Sequence, residues 1–160
     1  MVLGALLGIY TGILLSTLGA RPLWDSAALG PLFLVSGLST AAAFVHLIAR
    51  DRHEREMLAR ADNAFLIAEL ALIGLLFIGL ATATRVHIVA ARLFFGGPYT
   101  AAFWLLVVGA GILVPLIFQL LAVNHRTRHT AVAPLAVILG GLLLRSVMVS
   151  AGQLSGWSLT

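Results

Sequence analysis

Read from the amino terminus, the chain alternates long apolar runs with short charged connectors, and the lengths of the runs decide what they are. Five runs stand out, over residues 2–18, 29–49, 63–84, 101–123 and 131–151. A helix rises about 1.5 Å per residue, so about 20 residues cross a hydrocarbon core about 30 Å thick. Four of the runs meet that length comfortably. The first is marginal, and its shortness points to a truncated start. The pattern predicts an all-α integral membrane protein, a single transmembrane domain over 1–160 with about five helices in a bundle.

The charged residues fall almost wholly between the runs: Arg21 and Asp25, then the stretch RDRHEREMLARAD at 50–62, then Arg85 to Arg92, then NHRTRH at 124–129. Charge in hydrocarbon is expensive, so this partition supports the spans. The second and fourth connectors hold six Arg (50, 52, 55, 60, 126, 128) and the first and third hold three (21, 85, 92). By the positive-inside bias the second and fourth face the cytoplasm, with the N-terminus cytoplasmic and the C-terminus outside. The segment 85–98 ends in Gly96, Gly97 and Pro98 and is predicted as a short interfacial helix followed by a turn. Gly4, Gly8, Gly12 and Ser16 repeat every fourth residue, a face on which a neighbouring backbone can approach closely. Pro115 inside the fourth run removes a backbone donor and predicts a bend.

Composition narrows the class further. Of the 160 residues, 61% are hydrophobic and 10% charged, against about 25% charged in a soluble domain. The net charge of +4 comes from Arg residues scattered between apolar runs rather than gathered on one face, which excludes nucleic acid as the partner and leaves the lipid bilayer. With no Cys, disulfides, thiolate chemistry and iron–sulfur ligation by this chain are excluded. No Lys or Arg precedes Arg21, which argues against a cleaved signal peptide.

The polar residues inside the runs are the candidates for chemistry: His46, Glu69, Gln119 and Arg145. An ionised carboxylate at the depth of Glu69 is costly unless paired, protonated or hydrated, so it marks a functional site by default. Asp62 lies two helical turns earlier on the same face, and the pair outlines a proton path from the cytoplasmic surface. The plainer alternative is that Asp62 caps a helix starting at Asn63. Arg145 and Gln153, eight residues apart, can share a face. That face would contact an anionic or quinone-type ligand or a partner subunit, or Arg145 would snorkel or form a structural ion pair. Glu69 is expected nearer the opposite side of the membrane. Of the five His, only His46 lies in a run, at its end, so no haem, metal or other cofactor is expected on this chain alone. No catalytic residue is assigned.

The runs YTGILLST at 10–17, RPLWDSAALGPLFLVSGLSTAAA at 21–43, FWLLVVGAGILVPL at 103–116 and ILGGLLLRSVMVSAGQ at 138–153 resemble the NrfD-type membrane subunits of polysulfide reductase and related complexes. The resemblance spans nearly the whole chain, keeps the motif order, and is to the C-terminal half of the family. It implies a haem-free membrane subunit of a quinone-linked respiratory oxidoreductase, in a bacterial or archaeal inner (plasma) membrane. Such a subunit exchanges electrons between an iron–sulfur (ferredoxin-like) partner, itself linked to a catalytic subunit, and the quinone pool, with menaquinone or ubiquinone as substrate. A separate polypeptide could supply the N-terminal helices. Tyr10 falls in a stretch that resembles the family's pocket-tyrosine region, which implies a quinone contact there. Composition and spacing alone also allow a transporter or channel fragment, or a passive membrane anchor for a partner subunit.

Overall fold

The computed structural model describes residues 10, 14, 21, 23–125 and 132–155, with the backbone alone at 52 and 122–125. The first expected span, with its glycine stripe, and the 126–131 connector therefore lie outside the described residues, apart from Tyr10 and Leu14, both helical and exposed.

The described residues fold into α1 (Leu29–Ile48), α2 (Arg52–Thr82), α3 (Arg85–Arg92), α4 (Ala102–Leu113), α5 (Val114–His125) and α6 (Val132–Leu154), and none of them is in a strand. Four segments are long and apolar enough to cross a membrane: Leu29–Ile48, His53–Thr82, Ala102–Leu121 and Val132–Leu154. This is a multi-pass membrane protein, and large apolar side chains such as Leu105, Phe118 and Ile78 are exposed on its outer surface, where lipid would lie.

The connector expected over 50–62 is largely helical. α2 starts at Arg52, capped by the Asp51 side chain, which accepts from the His53 amide at 3.4 Å. Its first turns are held by an Arg60–Glu56 pair at 2.7 Å, four residues apart on an exposed face, and by Arg55 Nε donating to Ala49 O at 2.7 Å. Only Ala49, Arg50 and Asp51 remain to turn the chain between α1 and α2. Asp62 is therefore no cap: it lies in the body of α2, and the capping alternative is corrected.

Helix α4 is wound with i→i+5 bonds throughout, and the change to α-helical winding in α5 falls at Val114 and Pro115. Proline has no N–H to offer the preceding turn, so a change of hydrogen-bond register there costs little. After α3 the chain reverses at Gly96, whose φ of 103° suits glycine. A side chain at Gly97 would press on the Leu93 backbone. Phe77 of α2 sits among Phe94, Phe95, Phe103 and Trp104, with ring centroids 4.9 to 6.1 Å away, which fastens this turn to the bundle.

Small residues let the helices converge. The backbones of Gly111 in α4 and Gly140 in α6 touch, so that a Cβ on Gly111 would lie 2.6 Å from the Gly140 Cα. Gly141 faces Ser36 and Thr40 of α1. In a bilayer, where lipid is as apolar as leucine, such close backbone approach is a main source of helix association. At the far end of the bundle Arg21 donates to Ser155 O at 2.9 Å, and the Trp24 ring occupies the space beside Gly152.

Candidate functional site

The buried face of α1 carries Ser36, Ser39 and His46, at helical spacing, and the buried face of α2 carries Asp62 and Glu69. α1 and α2 are antiparallel neighbours through the short turn at 49–51, so these two faces meet and form a polar seam inside the bundle.

The seam has two levels. At the level nearer the α1–α2 turn, Asp62 is fully buried; Ser39 Oγ donates to its Oδ1 at 2.6 Å and Gln119 Nε2 of α5 donates to its Oδ2 at 2.7 Å. Short bonds of this kind to a carboxylate are charge-assisted and strong. Asn63, next along α2, is also buried. At the deeper level Glu69 is 3% exposed and is acted on by Ser36 of α1, by Asp62 and by Arg145 of α6. Arg145 reaches this level past Gly37 of α1, where a Cβ would stand 3.2 Å from its Nη2.

The expectation that Arg145 and Glu69 lie toward opposite sides of the membrane is corrected by this arrangement. α2 begins well before the apolar run and α6 continues through Leu154, so both residues fall near the middle of the bundle. Gln153 is exposed near the end of α6, and Tyr10 is 61% exposed. Among the described residues no hydrogen bond joins Tyr10, Arg145 and Gln153. Ser36 and Ser39 do not stand out in the sequence, because small hydroxyl residues are ordinary in membrane spans, and Asn63 reads there only as a helix start. The signal that could have found them is their spacing against Asp62 and Glu69. Gln119 was recognised as polar within a span but given no partner.

A second polar feature lies at the opposite end of α2. His87 of α3 is held through Nδ1 by Thr84 Oγ1 at 2.8 Å, and its Nε2 faces Asp25 Oδ2 at 3.9 Å. Both line a cleft of about 330 Å³ whose other walls include Leu75, Gly79 and Leu80. No group of three or more His, Asp or Glu side chains among the described residues could hold a metal ion.

A bundle of long apolar helices closed around a buried carboxylate seam defines the chain as a multi-pass membrane protein with ionisable groups inside the bundle. Its kinship is specific: the family model described as polysulphide reductase, NrfD matches residues 1–155, and the chain belongs to that family. It is similar to Protein NrfD of Escherichia coli, at 38% identity over 97% of this chain and 52% of that protein. It is likewise similar to the Protein NrfD homolog of Haemophilus influenzae, at 33% identity over 96% of this chain and 51% of that protein. A third relative, from the polysulfide reductase of Wolinella succinogenes, is 30% identical over 95% of this chain and 51% of its own length. The chain thus spans about half the length of these relatives. No solved structure matches it.

Proposed function

We propose that this chain is a membrane subunit of a quinone-linked respiratory oxidoreductase, in which an iron–sulfur partner linked to a catalytic subunit exchanges electrons with menaquinone or ubiquinone. The family supports the redox setting, and the name of the polysulfide reductase relative fits it. Interconversion of quinone and quinol moves protons as well as electrons, so such a subunit needs a proton route into the membrane. The observation that carries the reading is Asp62, fully buried and bonded to Ser39 and Gln119, two helical turns from Glu69. Carboxylates at this depth are costly and persist where they carry protons or ions. Arg145 stands where that route ends and is the residue best placed to hold an electron-rich quinone oxygen. Gln153 and Tyr10 remain proposed contacts of the same ligand. The protein would bind, orient and exchange protons, while quinone and clusters supply the redox chemistry.

The orientation that fits this role puts the α1–α2 turn in the cytoplasm of a bacterial or archaeal cell, where the Arg-rich connectors belong. Membranes containing the protein with its iron–sulfur and catalytic partners are expected to transfer electrons to a soluble quinone analogue. Equal rates in membranes lacking it would reject the proposal and favour a passive anchor.

A further inference from the structure

The polar seam differs on its two sides. Between Glu69 and the α1–α2 turn lie Asp62, Ser39 and Gln119, joined by hydrogen bonds, and the same α1 face continues to buried His46. Two oxygens in this half, Oδ1 of Asn63 and Oε1 of Gln119, are buried and accept no hydrogen bond among the described residues. Buried acceptors of this kind are ordinarily satisfied by water. On the other side of Glu69 the buried face of α2 continues as Ile73, Leu76 and Leu80, in one apolar cluster with Leu29 and Phe33 of α1 and Met148 of α6; Leu80 also walls the cleft that holds Asp25 and His87, so that Ile73 and Leu76 stand between that cleft and Glu69. None of these side chains can pass a proton, and a dry apolar layer holds no water wire. Glu69 is faced by Asp62 from its own helix, Arg145 from α6 and the Ser36 hydroxyl from α1. The described side chains of α4 and α5 include no titratable group.

We infer that the seam is a one-sided proton well, in which Glu69, beside Arg145, exchanges protons with the face that carries the α1–α2 turn and with no other. The inference rests on the proton-carrying reading of Asp62 and Glu69 and fixes the side on which the route opens and the depth at which it ends. Only O–H bonds of the carboxyl and of its hydrogen-bonded neighbours form and break, and no electron moves. A proton that enters reaches the depth of Arg145 and returns by the same way unless chemistry there consumes it. The well therefore feeds a reaction inside the membrane without letting protons cross it.

The test places the protein in lipid vesicles in a single orientation. The infrared carboxyl band of Glu69, assigned by its loss in Glu69→Gln, is expected to respond to a pH step on the α1–α2 face alone. A response to the opposite face, or to both, would overturn the inference. A potassium diffusion potential is expected to drive no proton flux through the wild-type protein, and flux there would also overturn it. Leu76→Glu, which sets a carboxyl within the apolar layer, is expected to open a flux; if it does not insert, Ile73→Asn serves the same purpose. A folded variant of either kind without flux would show that this layer is not the barrier and would sink the well. Wild-type turnover by Glu69→Gln in the assembled complex would reject a role for Glu69 in the proposed quinone reaction yet leave a one-sided band response standing, so the two failures are distinguishable.

Discussion

Gln119 donates from Nε2 to Asp62 Oδ2 at 2.7 Å, fastening α5 to α2 across 57 positions of sequence, while Ser39 occupies the other carboxylate oxygen at 2.6 Å. Both donors are buried, so each bond removed takes a direct partner from a carboxylate inside the bundle. Gln119→Leu is expected to lower stability by about 1–3 kcal/mol, and Ser39→Ala by a similar amount. Since the two share one acceptor group, the double variant should depart from the sum of the singles. Thermal unfolding in detergent, followed for the set of variants, checks both statements.

The backbone contact between Gly111 and Gly140 leaves no room for a side chain on either helix. Gly140→Val is expected to destabilise the bundle by about 1–3 kcal/mol or more through overpacking, because backbone rather than a flexible side chain meets the new atoms. Gly74, which has nothing within 4 Å of the space its Cβ would fill, is the internal control. Gly74→Ala should leave the melting temperature near that of the wild type. Equal losses for the two substitutions would show that the α4–α6 contact is not tight in the membrane.

The proposed orientation can be read directly because the sequence has no Cys. His53 and Pro98 are exposed and lie at opposite ends of α2 and its continuation through α3. His53→Cys is expected to react with a membrane-impermeant thiol reagent only after cells are opened, and Pro98→Cys in intact cells. The reverse pattern would invert the topology.

The membrane class was legible in the sequence because hydrocarbon is an unforgiving solvent: run length and the exclusion of charge leave few readings of residues 29–49 or 131–151. Helix ends were less legible. RHEREMLARAD carries charges and so reads as a connector, yet its Glu56 and Arg60 stand at the spacing that stabilises an exposed helix, which continues α2 beyond the apolar run. That extension removed the capping role from Asp62 and moved Glu69 inward. Half of the seam was visible, since Asp62 and Glu69 are conspicuous in an apolar setting. Ser36, Ser39 and the partner of Gln119 were not, because which faces of α1, α2 and α5 meet is decided by tertiary packing. The approach of Arg145 to the level of Glu69 was hidden for the same reason: it depends on how α6 aligns beside α1, which Gly37 and Gly141 govern through close approach.

Whether Glu69 passes protons during quinone-linked turnover is decided by Glu69→Gln in the assembled complex. Gln keeps the shape and the capacity for hydrogen bonds but cannot cycle a proton. Proton uptake and turnover with a quinone analogue are expected to fall by roughly 100-fold or more with subunit assembly unchanged, in the range seen when a proton-transfer group is removed. Asp62→Asn, measured alongside, should lose less if water can bypass the entry, because Asn still accepts from Ser39. Turnover and proton uptake at the wild-type level in Glu69→Gln, with the iron–sulfur partner present, would contradict the proton-carrying role and leave Glu69 as a packing residue at the level of Arg145.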